Sequence, residues 1–333
     1  MRRREANRVR WLLVLGLACG APACGDEAPA RFSVALLTPG SIADGGWNAG
    51  AYAGLLGIRD ELGAEVRHVE TRTPAEFEDG FRDFAGRGFD LVVGHGFEYQ
   101  EAAARVAAEY PGTVFVTTSG STVRENLAPL VFELEEATYL AGLLAARMSR
   151  SGHLGMVGGI DLPSIRSTFL AMGAGARAAD PEIRVSEVFI GNFDDAAAAR
   201  EAALALMEEG ADFLMHQAND AGRGVFRAVS ERAARGERVF AIGTNRNQNE
   251  MAPEVVIASA TLDIPGALLE VARRVRDGRF EPEPLRLGLA EGIVALELNP
   301  ALRDRIPAPV LAELAQVEEG IRSGAIEVPR GPF

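Results

Sequence analysis

Residues 32–69, FSVALLTPGSIADGGWNAGAYAGLLGIRDELGAEVRHV, carry the reading on which the fold turns. A short apolar run (32–37) leads through a Pro, Gly and Asp loop into an Ala- and Gly-rich stretch (49–62), and a second run (65–69) follows. Strand, helix and strand at that spacing predict a parallel pair joined by a crossover helix. The rhythm continues outward. Runs at 91–94, 114–117, 130–133, 154–157, 184–189, 213–216, 239–242 and 256–259 alternate with helical stretches at 74–86, 102–109, 135–148, 165–179, 196–209, 222–235 and 265–277. The pattern occurs twice, with a break around 126–134, so the expected fold is α/β with two doubly wound lobes rather than one long sheet. Each half is about 120 residues, enough for its own core. The division expected is 31–128 plus about 255–285 for the first lobe, and about 129–254 plus 286–333 for the second. The apolar segment 285–298 reads as a strand crossing between them.

Of the 333 residues, 47% are apolar and 24% charged, the composition of an ordinary globular protein. All 34 basic residues are Arg, and 47 acidic residues leave a formal charge of −13. Such a surface repels nucleic acid and anionic headgroups, whose binding is driven by clustered cations. The first 23 residues hold five Arg, an apolar run at 11–18 and small residues at 20–23, the pattern of an export signal. Removing them would leave −17 on the remainder. Both cysteines lie at this junction. Small residues ahead of a Cys at the end of an apolar run resemble a bacterial lipobox, so Cys24, or alternatively Cys19, is the expected acylation site, with 24–30 as a tether. More than one buried acyl chain would anchor the protein to a membrane stably.

In doubly wound sheets a ligand binds beyond the carboxyl ends of the strands. The segments to read are therefore 38–48, 95–99, 118–121, 158–166, 191–195, 217–224 and 243–248. None holds a phosphate-binding loop, a nucleophile elbow or a zinc-protease motif. His95 and His216 fall at strand ends, but no carboxylate cluster completes a metal set, and no cofactor or metal is expected. Asp44, Glu98, Asp161, Asp194, Asp195 and Asp220 are either an acid and base pair or helix caps. Asp195 reads as a cap, while Asp44 stays open between the two. The chain has few aromatics, and Trp47, Phe97, Tyr99 and Phe193 occupy these loops. Rings opposed across a crevice would sandwich a planar guest. The alternative is that each closes the core of its own lobe.

Several of these segments resemble one family. Residues 44–48, DGGWN, resemble the D-x-x-F-N signature of the basic membrane protein family, the PnrA-like solute-binding lipoproteins. GHGF at 94–97 resembles its G-x-G-F turn, YPGTVF at 110–115 its Y-P-x-x-x-F stretch, and YLAG at 139–142 its Y-L-A-G helix. VGG (157–159), GNFD (191–194, resembling G-S-F-x-D), AGRGV (221–225, resembling G-x-G-V) and IRSGAI (321–326, resembling I-x-x-G-x-I) follow in family order. The resemblance implies a type I periplasmic-binding-protein fold, its two lobes joined by crossing segments around a ligand cleft. It implies the permease and ATPase of an ABC importer as partners, and purine nucleosides as ligands. Carried over by motif, Trp47 and Phe193 hold the base, Gly96 and Phe97 form the turn beside it, and Asp44, Asn48, Asp194, Gln217 and Asn219 supply polar contacts.

Three positions depart from the family. Ser119 stands where an Asp is common, Asn245 begins the stretch that reads D-x-D-Q in relatives, and Leu262 takes the place of a Lys. Asn both donates and accepts whereas Asp only accepts, and Leu does neither. A ribose would lose two charged partners, at roughly 1–3 kcal/mol for each buried group left unsatisfied. Ser119 and Asn245 remain as polar contacts, and a nucleobase becomes as fitting a ligand as a nucleoside. The function expected is capture of a planar heterocycle by an exported, lipid-anchored binding protein that is not an enzyme. Its rivals are a sensor using the same cleft and an exported hydrolase with Asp44 and Asp194 as its carboxylates.

Overall fold

A computed structural model describes residues 31–331. The expected export signal (1–23), the expected tether (24–30) and both candidate acylation sites, Cys24 and Cys19, lie outside the described residues. In chain order the strands are β1 (Ser33–Thr38), β2 (Glu65–Glu70), β3 (Leu91–Gly94), β4 (Val114–Thr118), β5 (Leu127–Phe132), β6 (His153–Gly158), β7 (Arg184–Phe189), β8 (Phe213–Gln217), β9 (Phe240–Asn245), β10 (Val256–Leu262), β11 (Leu285–Leu287) and β12 (Val294–Leu298). The helices are α1 (Trp47–Leu62), α2 (Pro74–Gly86), α3 (Gln100–Ala107), α4 (Leu134–Met148), α5 (Pro163–Ala179), α6 (Ala196–Glu208), α7 (Gly222–Ala233), α8 (Ile264–Arg276) and α9 (Ala308–Arg322).

The strands form two six-stranded sheets in the orders β11-β5-β4-β3-β1-β2 and β12-β10-β9-β8-β6-β7. The first is wholly parallel, and in the second only β12 runs antiparallel, against β10. Each reads 2-1-3-4-5 from its outer edge, which puts a topological switch point beside β1 and another beside β6. Interior strands such as β1, SVALLT, are buried along their whole length, as a parallel sheet covered on both faces requires, whereas the edge strand β2 is not.

Close helix crossings lock the layers. A side chain at Gly142 of α4 would put its Cβ 2.0 Å from the Met172 carbonyl oxygen of α5, and one at Gly175 of α5 would lie 1.9 Å from the Tyr139 oxygen. The two helices therefore meet almost backbone to backbone, and the glycine of the YLAG motif is the one that permits it.

The expected lobe boundaries need correction. The chain crosses between the sheets three times, at 132–134, 262–264 and 287–294, each time directly after a strand. Leu127–Phe132 joins the first sheet beside β4, so 129–132 belong to the first lobe and not the second. The break near Asn126 is a turn inside that lobe, where Asn126 Nδ2 bonds the carbonyls of Ala107, Tyr110 and Thr113. Val256–Leu262 pairs with β9 in the second sheet, and only from α8, which packs on α1, does the chain rejoin the first. The segment 285–298 is two strands, β11 and β12, one in each sheet. Helix α9 was not expected; its buried Val310, Leu314 and Ile321 recur at helical spacing.

The crossings are tied to one another. The Glu133 amide donates to the Leu287 carbonyl and the Asp263 amide to that of Ile293. Arg330, near the end of the described chain, forms ion pairs with Glu133 and Glu136, and Arg286 reaches Glu133 at 3.3 Å.

Candidate ligand-binding site

The carboxyl ends of the two sheets face one cavity of about 260 Å³. That is slightly below the range of roughly 300–1,000 Å³ usual for drug-sized ligands, and it suits a small solute. All eleven residues singled out from the sequence line it: Asp44, Trp47, Asn48, Gly96, Phe97 and Ser119 from the first lobe, and Phe193, Asp194, Gln217, Asn219 and Asn245 from the second. Phe132, Leu134, Ile160, Leu162, Ile165 and Leu262 add an apolar wall.

The backbone at this face is unusual. Among the described residues, Ser119 (φ 59°), Asn219 (φ 47°) and Asn245 (φ 70°) are the non-glycine residues in the left-handed region, and all three line the cavity. Asn tolerates this conformation better than most residues, whereas a Ser held there stores strain of order 1 kcal/mol. Each sits at or just beyond the end of its strand, where the turn aims a polar side chain inward. Asn245 Nδ2 donates to Asn219 Oδ1 at 3.4 Å, linking two of them.

The aromatic rings are backed by the protein. His95 lies under the Trp47 indole, with centroids 4.0 Å apart and planes at 22°, and Phe132 meets it edge-on at 5.8 Å. His95 Nε2 donates to the Trp47 carbonyl at 3.1 Å, while Nδ1 accepts a hydrogen bond from the Thr118 hydroxyl at 3.2 Å. Burial holds this imidazole neutral by pushing its pKa down to about 3. The Phe193 ring rests on Gly159, where a Cβ would stand 2.2 Å from a ring atom. Trp47 and Phe193 are each partly buried against the core, so both aromatic readings apply: each ring closes its lobe and also presents surface to the cavity.

The polar groups divide by role. Asp44 accepts from the amides of Gly46 (2.9 Å), Asn48 (2.8 Å) and Ala49 (3.0 Å), so its carboxylate caps α1 although it also lines the cavity. Three of its roughly four lone-pair sites are thereby used. Asp195 caps α6 through the amides of Ala197 and Ala198, as its place in the sequence suggested. Asp194 is exposed at the rim, and Asp161 and Asp220 are paired with Arg166 and Arg223. Asn48 is 4% exposed, and its buried Oδ1 has no partner among the described residues. Gln217 accepts from the Thr244 hydroxyl at 3.3 Å. His216 stays behind the cavity on Gln248, at 3.0 Å, and burial lowers its pKa to about 4. The two strand-end histidines thus pack behind the lining rather than facing one another across it.

Two charged lining residues, Glu135 and Arg72, are not among the residues the sequence singles out. Glu135 stands three residues beyond β5 but already within the first turn of α4, so in the sequence it reads as a helix residue and not as part of a strand-end loop. Arg72 follows β2 and is paired with Glu70 at 2.5 Å. Glu98, named among the loop carboxylates, folds back over Gly96, where a Cβ would lie 2.4 Å from its Oε2. Burial raises the pKa of both Glu98 and Glu135. With Asp44 and Asp194 they give the cavity four carboxyl side chains against the single guanidinium of Arg72.

The chain is similar along most of its length to known proteins. The family model described as ABC transporter substrate-binding protein PnrA-like matches residues 32–329. Basic membrane protein A of Borreliella burgdorferi is 28% identical over 309 residues, 89% of this chain and 88% of its own. A purine-binding protein of Brucella abortus is 23% identical over 323 residues, 96% of this chain and 88% of its own. A solved ABC transporter solute-binding protein from Conexibacter woesei is 30% identical with a TM-score of 0.71, covering 90% of this chain and 99% of that one.

Proposed function

Because the chain belongs to the PnrA-like family of ABC transporter substrate-binding proteins, with a type I periplasmic-binding-protein fold, we propose that its cavity captures a purine nucleoside or nucleobase for import. The observation that carries this reading is the lining: four aromatic rings, Trp47, Phe97, Phe132 and Phe193, drawn from both lobes around one small cavity with amide and hydroxyl groups at its edges. Flat rings gain roughly 0.5–1.5 kcal/mol per aromatic pair beyond the area they bury. The purine-binding relative supports the ligand class.

In this reading the lobes close about the three crossings, the base lies against Trp47 and Phe193, and Asn48, Ser119, Gln217, Asn219 and Asn245 bond its edges. Leu262 offers no charge to a ribose, which favours ligands held mainly through the base. No bond is made or broken. Asp44, the first carboxylate of the hydrolase alternative, is committed to three backbone amides. As an ABC transporter substrate-binding protein, in this reading it works outside the cytoplasmic membrane with the permease and ATPase of an importer. No helix among the described residues is long and apolar enough to cross a membrane, and in our reading an acyl anchor on Cys24, or Cys19 in its place, holds the protein there.

Calorimetry against purine nucleosides, purine bases and hexoses tests the proposal. A purine should bind, and Trp47→Ala and Phe193→Ala should each weaken it about tenfold or more, or about 1.4 kcal/mol, with the fold retained by circular dichroism. Binding of a hexose in place of every purine, or unchanged affinity in both variants, would overturn it.

A further inference from the structure

Glu135 is 2% exposed yet lines the cavity. Its Oε1 accepts the Ser167 hydroxyl, and the Ser167 oxygen in turn accepts the Gly331 amide at 2.9 Å. The tail carrying Gly331 is strapped down by Arg330 on Glu133 and Glu136. Among the described residues Glu135 itself forms no ion pair, and no side-chain donor reaches its second oxygen. A buried carboxyl in that state is a costly group that gains from any donor brought to it. The rest of the lining leans the same way: Asn48 Oδ1 is a buried acceptor without a partner among the described residues, and Glu98 adds a second, half-buried carboxyl. The only cation of the lining, Arg72, is paired with Glu70 at 2.5 Å. Among the charged groups of the lining, acceptors thus outnumber donors.

We propose that Glu135 is a specificity-determining residue that takes a hydrogen bond from an amino group of the bound heterocycle, so that amino-substituted rings bind in preference to oxo analogues of the same shape. The proposal rests on the heterocycle reading above. Ser167 and the strapped tail fix the carboxyl in place, and to the ionised Glu135 carboxylate, which only accepts, a carbonyl oxygen would be a second acceptor that leaves both unpaired.

The test is calorimetry on the full chain with two matched pairs, adenine with hypoxanthine and adenosine with inosine. In each pair that binds, the amino member should bind about tenfold more tightly or better. Glu135→Gln, which can donate as well as accept, should cut that preference by about threefold or more, an effect that a merely structural role for Glu135 would not produce. A wild-type preference short of tenfold, or one unchanged in Glu135→Gln, overturns the role of Glu135 while leaving the function reading intact. If neither pair binds while another purine does, the role of Glu135 is overturned alone; if no purine binds, the function reading fails and takes this one with it. Should Glu135→Gln not fold, the wild-type ratio alone decides.

Discussion

Gly159 lacks a side chain for a reason that lies in the cavity. Its missing Cβ is the space taken by the Phe193 ring, and the neighbouring Asn192 carbonyl would be only 2.9 Å away. Gly159→Ala should push the ring off its seat. Overpacking of this kind costs about 1–3 kcal/mol, and here most of it should appear as ligand affinity lost, measured by calorimetry with adenosine. At this scale the sequence was most legible. Turn residues and aromatics at strand ends announce themselves, and all eleven candidates reach one cavity. Glu135 does not announce itself: it reads as one more polar residue on a helix, and only the burial of the start of α4 at a crossing reveals it. The left-handed backbone at Ser119, Asn219 and Asn245 is equally hidden, although the residues themselves are among the eleven, because Ser and Asn occupy many turns without adopting it.

At the scale of elements, helix contacts explain which glycines can change. Gly142→Ala would drive a methyl into the Met172 carbonyl at 2.0 Å. The helices must then part, and we expect a loss of about 3 kcal/mol or more, the upper end for overpacked sites. Gly57 is the opposite case, lying within α1 with nothing within 4 Å of a new Cβ. Gly57→Ala should add up to about 1 kcal/mol through helix propensity. Urea unfolding of the two variants measures both signs. The strand and helix pattern was readable because interior strands and helices differ so sharply in apolar spacing. Helix α9 was missed, since its buried positions, Val310, Leu314 and Ile321, are sparse among exposed Glu and Gln. The extent of β5 was missed too, because Pro129 interrupts a run that is otherwise apolar.

For the whole molecule, the junction between lobes is the least legible level, since it is set by which strand neighbours which and not by any local signal. The sequence locates the breaks, yet each crossing begins only where a strand ends. Arg330 and Arg286 gather on the Glu133 side chain at the first crossing, where that side chain is only 10% exposed. Arg330→Ala would leave Glu133 with Arg286 alone. Because Arg330 is itself about a third exposed, the expected loss is modest, about 1 kcal/mol, seen as a lower thermal midpoint. An exposed pair such as Arg59 with Asp60 should show almost no change when broken. The threefold crossing also dictates the order of assembly. Neither border strand, Leu285–Leu287 or Val294–Leu298, can join its sheet until nearly the whole polypeptide has been synthesised. A nascent chain arrested before residue 285 should therefore remain protease-sensitive in both halves at once, and cutting the gene at its midpoint would yield two fragments, neither of them a lobe.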